Sequence, residues 1–369
     1  HWLYRVYNVA LLWPWLHPLG DSSFCRKLLY NQGFFTFTNF YTGIGVQKAF
    51  MVETHKLHVT SSIGISLYPE DAQSADDLLR NADTAMYKAK DEGRNTYRFY
   101  TEDMTQRAID HILMESNLHH ALANNQISVF YQPQVNGNTH QIIGMEALVR
   151  WQHPELGLIS PDKFIPLAEK TGLIIPLGEQ IFDIATKQIA FWKQKYNIPG
   201  RMAINLSVKQ FQQKNIAEVL FEKLKQNQCN PEHIELEITE NYILDNPKRA
   251  INTLQKFQDA GIEIAIDDFG TGYSSLAYLK KLPVNKLKID KSFIDDLEHD
   301  ENDKVIIKST IFLALNMKLN VIAEGVETKQ QRDFLLEHGC EMIQGYYYSR
   351  PLAESEMTKL LRSGKPLAN

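Results

Sequence analysis

The sequence predicts an α/β protein whose larger part is a TIM-like (β/α)8 barrel. Short apolar runs recur along the chain, a polar residue follows each run directly, and a helix-like segment comes next. The eight runs are Val129–Tyr131, Ile142–Met145, Met202–Ile204, Ile234–Leu236, Ile262–Ile266, Lys286–Leu287, Val321–Ala323 and Met342–Ile343. Eight strands that alternate with helices are typical of this barrel, which usually takes about 250 residues.

A smaller, partial α/β unit is predicted in front of the barrel. Mostly apolar residues alternate with period two from Leu57 to Leu67, which indicates a strand. Ser74 with Asp77 three residues later resembles a capping box at the start of a helix, and another apolar stretch follows at Tyr97–Tyr100. We therefore expect a front unit over residues 1–103, the start of a linker helix over 104–111, and the barrel domain over 112–364.

Composition narrows the class of protein. The chain is 44% hydrophobic and 22% charged, which is ordinary for a globular protein, and its net charge of −5 comes without a polybasic block. Duplex nucleic acid is therefore not the expected partner. The longest strongly apolar run, Val9–Leu16, is shorter than the roughly 20 residues that a membrane span needs. The three cysteines form no Cys-x-x-Cys pair, so we expect reduced thiols in the cytoplasm.

The carboxyl-terminal ends of the strands form the active face of such a barrel, so the polar residues that follow the runs should converge on one mouth. These residues and one neighbour are Gln132, Glu146, Asn205, Glu237, Asp267, Asp268, Lys288, Glu324 and Gln344. A single polar residue at a strand end is usually solvated or paired in a salt bridge. Convergence of eight such positions favours a functional site instead.

The oxygen atoms of this set predict divalent metal chemistry. Carboxylates and amides suit Mg²⁺ or Mn²⁺, and the absence of His and Cys argues against zinc. Two ions about 3.5–4 Å apart can clamp a phosphoryl group during in-line displacement. Lys288 would then hold the nucleophilic water or offset charge that develops on the phosphorus oxygens. A paired-carboxylate glycosidase is the main competing interpretation, but two acids suffice there and the other residues would have no role.

Several short motifs stand in a fixed order along this region. They are Tyr131-Gln132-Pro133, Glu146-Ala147-Leu148, Asn205-Leu206-Ser207, Glu237-Ile238-Thr239-Glu240, Asp267-Asp268-Phe269-Gly270-Thr271-Gly272, Lys288-Ile289-Asp290, Ala323-Glu324-Gly325-Val326-Glu327 and Gln344-Gly345. With them, residues 112–364 resemble the EAL-domain family of cyclic di-GMP phosphodiesterases. The resemblance implies hydrolysis of cyclic di-GMP to linear pGpG with Mg²⁺ or Mn²⁺, two ions being expected, in a homodimer formed through this domain.

The resemblance also implies a role for each residue of the site. The metal ligands would be Glu146, Asn205, Glu237, Asp267 and Asp268. Lys288, Glu324 and Gln344 would position or activate the attacking water, and Gln132 and Arg150 would contact the substrate. Glu240 would brace the loop Phe269–Ser275, which links the active site to the dimer interface.

The front unit resembles the second half of a GGDEF (diguanylate cyclase) domain. The match is carried by Ser62-Ile63-Gly64, Ala82–Tyr87, Lys88–Lys90 and Gly93–Asn95. Gly20-Asp21-Ser22-Ser23-Phe24 stands at about the position of the family signature, with serines in place of its acidic pair. The resemblance therefore implies a truncated, degenerate domain that acts as a spacer or a dimerisation remnant.

A cyclic di-GMP receptor that binds its ligand without cutting it is the alternative function. Every position named above for the EAL domain carries the residue of that family, which argues against its degenerate, binding-only members. The complete set favours the enzyme.

Overall fold

The structure, a computed structural model, describes residues 50–52, 55–57, 62–239, 247–270 and 279–367. The chain divides into two compact units between Met114 and Glu115. The finer boundaries expected at residues 103, 111 and 364 stay predictions.

The described part of the first unit is a small α/β arrangement. Its elements are β1 Phe50–Val52, β2 His55–Leu57, β3 Ile63–Ile65, α1 Ala75–Asp91 and β4 Tyr97–Phe99, followed by α2 Glu102–Ala123. The strands β3 and β4 are parallel, and α1 connects them. Ser74 caps α1 by accepting a hydrogen bond from the backbone N–H of Asp77, as the sequence predicts. A side chain at Gly64 would lie 1.8 Å from the carbonyl oxygen of Ala82, so α1 packs directly on β3.

In the second unit, the described residues include nine strands of one sheet. They are β5 Ile127–Asn136, β6 Ile142–His153, β7 Gly157–Ile159, β8 Met202–Asn205, β9 Ile234–Thr239, β10 Glu263–Phe269, β11 Lys286–Ile289, β12 Asn320–Ala323 and β13 Met342–Ile343. Their hydrogen-bonded order is β5-β13-β12-β11-β10-β9-β8-β6-β7, and β5 also pairs with β6. Eight strands therefore close into the predicted barrel, and β7 extends from β6 beside it.

Helices follow most strands of the barrel. They are α3 Pro161–Thr171, α4 Ile174–Tyr196, α5 Val208–Phe211, α6 Ile216–Gln226, α7 Pro247–Asp259, α8 Lys291–Asp295, α9 Glu301–Asn316, α10 Lys329–Glu337 and α11 Glu354–Ser363, with a 3-10 turn at Pro231–His233. None of the helices in the described ranges is both long and apolar enough to cross a bilayer.

The first barrel strand departs from the regular pattern. β5 runs antiparallel to both of its neighbours, β6 and β13, whereas the strands from β6 through β8 to β13 pair in parallel. Only residues 137–141 join β5 to β6. A parallel crossover needs a dozen or more residues, so this short connection forces a hairpin.

The expectation that each strand stops before its polar residue is wrong for six of the eight strands. Gln132, Glu146, Glu237, Asp267 and Lys288 lie inside β5, β6, β9, β10 and β11, and Asn205 is the last residue of β8. Gln132 is paired directly with Glu146 across the hairpin. The apolar runs end earlier because polar side chains that face the barrel interior interrupt them, while the backbone ladder continues.

In strand β9, apolar side chains on the outer face alternate with acidic side chains on the inner face of the barrel wall. Ile234, Leu236 and Ile238 alternate with Glu235 and Glu237, and all five are buried. The isoleucines and the leucine join the apolar layer between strands and helices, where each contributes about 1.5–3 kcal/mol of burial free energy. The two glutamates point into the barrel, where they form ion pairs.

Candidate active site

Lys288 lies at the centre of the barrel mouth. Its Nζ atom is 2.5 Å from Glu324 Oε1, 2.7 Å from Glu237 Oε2, 3.1 Å from Asp267 Oδ1 and 4.0 Å from Glu146 Oε1. The side chain of Lys288 is only 1% exposed. We call Lys288 and these four acids the Lys288 cluster. Five strands supply or adjoin it, so residues 178 positions apart in the chain converge as the sequence predicts.

Glu146 is held from both of its carboxylate oxygens. Asn205 donates its side-chain N–H to Oε1 at 2.7 Å, and Gln344 donates its own to Oε2. Asn205 thus turns its amide nitrogen to the carboxylate and leaves its carbonyl oxygen for another partner. Glu146 cannot rotate without breaking one of these bonds, which fixes the lone pairs that a cation would use.

The side chains of the adjacent acids Asp267 and Asp268 have different neighbours, because β10 is irregular at this point. The register with β11 shifts between Ile266 and Phe269, and Asp268 adopts a left-handed backbone with φ of +53°. Asp267 therefore faces Lys288, whereas Asp268 lies against Asp290. Burial, with the nearby carboxylates of Asp267 and Asp290, raises the pKa of Asp268 to about 6.

Crowding of negative charge dominates the electrostatics of the site. Burial raises the pKa of Glu237 well above its ordinary range, and the neighbouring carboxylate of Glu146 adds to this. Burial also raises the pKa of Glu324 to about 8, although Lys288 partly opposes the change. Burial alone would lower the pKa of Lys288, but the surrounding carboxylates outweigh it and raise that pKa. The lysine therefore stays charged, and the acids compete for too little positive charge.

The donor set fits a divalent cation in chemistry. Five carboxylates, those of the cluster and Asp268, meet the one ammonium of Lys288. Both carboxylate oxygens of Glu237 and Oε1 of Glu324 are buried and accept no well-oriented hydrogen bond from the described residues. A cation bound to these oxygens would satisfy them. Within the described ranges, no three acidic, His or Cys side chains are grouped around a common metal position, and Lys288 contacts three of these carboxylates instead.

The two predicted substrate contacts, Gln132 and Arg150, lie close to Glu146. Gln132 accepts a hydrogen bond from Gln344 at 3.2 Å and donates one to the carbonyl of Ser349 at 3.0 Å. Arg150 lies on the same face of β6 as Glu146, four residues further along the strand, with its guanidinium 5.5 Å from the ring centre of Phe130. The substrate contact expected of Arg150 stays a prediction, as do the roles of the other site residues. Glu240 and the loop residues after Gly270 lie outside the described residues, as do Ser22 and Ser23.

Two features of the barrel interior were not predicted. Gln134 is buried and donates to Gln344 at 3.1 Å. Glu235 and Lys286 form a second buried ion pair, 2.6 Å apart, below the Lys288 cluster. The sequence carried a signal for both, because each residue stands two positions before or after a predicted site residue and so shares its face of the strand.

Comparison with known proteins assigns the family. The family model described as "EAL domain" matches residues 115–351, which is more than half of the chain. The chain belongs to the EAL-domain family. A second model, "Diguanylate cyclase, GGDEF domain", matches residues 45–96, within the front unit. The match begins after Gly20–Phe24, the segment compared above with the GGDEF signature.

Curated relatives of the EAL domain carry cyclic di-GMP names. The bifunctional diguanylate cyclase/cyclic di-GMP phosphodiesterase MucR of Pseudomonas aeruginosa is 40% identical over 312 residues, 85% of this chain and 46% of that protein. The cyclic di-GMP phosphodiesterase NbdA of the same organism is 37% identical over 86% of this chain and 41% of its own length. The cyclic di-GMP phosphodiesterase PdeR of Escherichia coli is 35% identical over 82% and 46%. The chain thus spans less than half the length of these relatives.

Solved structures share the barrel. A complex of the MucR phosphodiesterase with cyclic di-GMP matches with a TM-score of 0.65 and 40% identity, over 66% of this chain and 99% of that one. The EAL enzyme Bd1971, bound to cAMP and cyclic di-GMP, matches with a TM-score of 0.68 and 33% identity, over 79% and 77%.

Proposed function

We propose that the chain is a metal-dependent phosphodiesterase that hydrolyses cyclic di-GMP to linear pGpG. The observation that carries this proposal is the Lys288 cluster, in which acids from separate strands meet one buried lysine in a domain of the EAL family. The names of MucR, NbdA and PdeR, and the MucR complex with cyclic di-GMP, support the choice of substrate.

The residues of the chain have separable tasks in this reaction. Water attacks one phosphorus of the cyclic dinucleotide, the bond from phosphorus to the 3′ oxygen breaks, and the 3′ oxygen takes up a proton. The buried ammonium of Lys288 stabilises negative charge that develops on the phosphoryl oxygens. Glu324, in contact with Lys288, accepts a proton from the attacking water when it is ionised. Arg150 offers a forked donor to a phosphate on the approach side.

The oxygen donors match Mg²⁺ or Mn²⁺ as the resident cofactor, and two ions are proposed. Glu146, Asn205, Glu237, Asp267 and Asp268 would hold them. When bound, such ions polarise the phosphoryl group and lower the pKa of water. Glu146 is already oriented for this task by two amide donors, and Glu237 has two buried oxygens without hydrogen bonds from the described residues.

A second copy of the chain is the proposed partner besides the substrate. Helix α9 exposes Val305, Phe312 and Leu315 on one side, and the side chain of Phe312 is 70% exposed. Apolar side chains gathered on one helix face mark an interaction surface more often than isolated ones do. Self-association through this face would cover them in a homodimer of the EAL domain. The cytoplasm remains the proposed location.

Product analysis tests the proposal. The purified chain is incubated with cyclic di-GMP and Mg²⁺ or Mn²⁺, and the nucleotides are separated by chromatography. We expect pGpG to appear first, with GMP forming much more slowly, and neither product with Glu146→Ala. Tight binding of cyclic di-GMP without any linear product would replace the enzyme with a receptor.

A further inference from the structure

Gln134 lies one step below the Lys288 cluster and faces the same barrel interior. It is two residues after Gln132 on β5, and its side chain is buried. Its amide N–H donates to the carbonyl oxygen of Gln344 at 3.1 Å. The amide nitrogen of Gln344 then donates to Glu146 and, at 3.2 Å, to Gln132. Gln134 is therefore linked to Glu146 through one intervening side chain.

The direction of the Gln344 amide decides whether Glu146 is held. An ionised carboxylate only accepts hydrogen bonds, so Gln344 must present its nitrogen to Glu146. The reverse orientation would place a carbonyl oxygen against the carboxylate and leave that acid without its donor. Gln134 favours the productive orientation, because its N–H donates to the carbonyl end of the Gln344 amide and so leaves the nitrogen of Gln344 facing Glu146.

The residue paired with Gln134 on the neighbouring strand is a glycine, which leaves space for the Gln134 side chain. Gly144 is paired with Gln134 across the β5–β6 hairpin. A side-chain carbon at Gly144 would lie 2.9 Å from Gln134 Oε1. Real Cβ atoms avoid such separations, so the missing side chain of Gly144 leaves room for the glutamine amide.

We propose that Gln134 is a positioning residue, which orients Gln344 and through it the carboxylate of Glu146 for a divalent cation. The identity of that ligand rests on the proposed function. Residues that support a metal ligand without touching the metal typically change affinity or activity by 10–100-fold when mutated. Gln134 should act at this scale, and only through Gln344.

A double-mutant cycle on Mn²⁺ affinity tests the proposal without turnover. Gln134→Met, which keeps length but removes the donor, should weaken Mn²⁺ binding about tenfold in calorimetric titration of the full chain. Gln344→Met should weaken it at least as much, and the double variant should be no weaker than Gln344→Met alone. Gln331→Met is the matched control, since Gln331 is also buried but bonds to the Ile294 carbonyl. It should lower Tm and leave Mn²⁺ affinity unchanged.

Gly144→Ala is a second test variant, which disturbs Gln134 but keeps the side-chain amides of Gln132, Gln134 and Gln344. The added methyl should displace Gln134 and weaken Mn²⁺ binding several-fold, but should have no further effect in the Gln344→Met background. Additive losses of Mn²⁺ affinity in the double variant would overturn the positioning role, as would an unchanged Mn²⁺ affinity in both Gln134→Met and Gly144→Ala. Hydrolysis of cyclic di-GMP by the wild type would still support the proposed function in that case. If the double-mutant cycle gives the expected Mn²⁺ affinities but the wild type does not hydrolyse cyclic di-GMP, the positioning role stands and the proposed function falls. Absence of Mn²⁺ binding by the wild type would overturn both.

Discussion

Lys288 and Glu146 belong to the same cluster, but their substitution should affect different properties, turnover for Lys288 and Mn²⁺ affinity for Glu146. Glu146→Ala removes a proposed ligand and leaves Asn205 and Gln344 without their acceptor. Loss of a supporting residue alone costs 10–100-fold in metal affinity, so we expect at least about tenfold weaker Mn²⁺ binding. Lys288→Met should reduce turnover about 100-fold or more, because it removes charge that stabilises the transition state.

The Mn²⁺ affinity of Lys288→Met separates the two roles. The ammonium competes with a cation for the same carboxylates, so its removal should leave Mn²⁺ binding as tight as in the wild type or tighter. Calorimetric titration of both variants checks this. Equal Mn²⁺ affinity in Glu146→Ala and the wild type would refute the ligand assignment of Glu146.

The raised pKa of Glu324 predicts an unusual pH dependence of stability in the metal-free chain. Folded Glu324, with a pKa of about 8 caused by burial, keeps its proton where the unfolded chain, near the ordinary 4.5, has lost it. Folding then takes up a proton, so stability should fall as pH rises from about 4.5 to 8. Tm measured in chelator should be lower at pH 8.5 than at pH 5.5. Glu324→Gln should flatten the decline, and an unchanged slope would remove Glu324 as its cause.

At the scale of elements, the sequence predicted which segments form the barrel but not their directions. Apolar runs located all eight strands, because burial in the wall demands apolar side chains. The hairpin of β5 and β6 was missed, although five connecting residues are too few for a parallel crossover. Gln134 and the pair Glu235–Lys286 were also missed. Their spacing of two from predicted site residues placed them on the interior face, but their partners depend on strand registers that one-dimensional patterns do not contain.

The buried pair of β9 and β11 predicts a strong, non-additive effect on stability. Lys286→Met leaves Glu235 charged and unpaired in the barrel, which should cost about 3–5 kcal/mol. Adding Glu235→Leu should recover most of that loss, because no buried charge then remains. The exposed pair Lys256–Glu218 is the control, where Lys256→Met should change stability far less than Lys286→Met does. Thermal unfolding of these three variants and the wild type measures this, and a double variant as unstable as Lys286→Met would contradict it.

At the scale of the whole molecule, helix α9 predicts self-association. Phe312→Asp introduces a charge into the exposed apolar face, so it should shift a dimer towards a monomer that is still folded. Light scattering coupled to gel filtration measures the mass. Asn252→Asp, at an exposed position of the separate helix α7, shows how much of the shift any added surface charge would cause. A wild-type chain that is monomeric at micromolar concentration would exclude this interface.

The acids around Lys288 are proposed to require a divalent cation before cyclic di-GMP can be cut. The most direct measurement is the rate of pGpG formation by metal-stripped protein while Mg²⁺, Mn²⁺ or Ca²⁺ is titrated back. We expect no product without metal and full recovery with Mg²⁺ or Mn²⁺, which hold about six oxygen ligands in a tight frame. Ca²⁺, with longer bonds of about 2.3–2.6 Å, should bind and inhibit in competition with Mg²⁺. Undiminished turnover in the stripped protein, or Ca²⁺ as effective as Mg²⁺, would contradict the account.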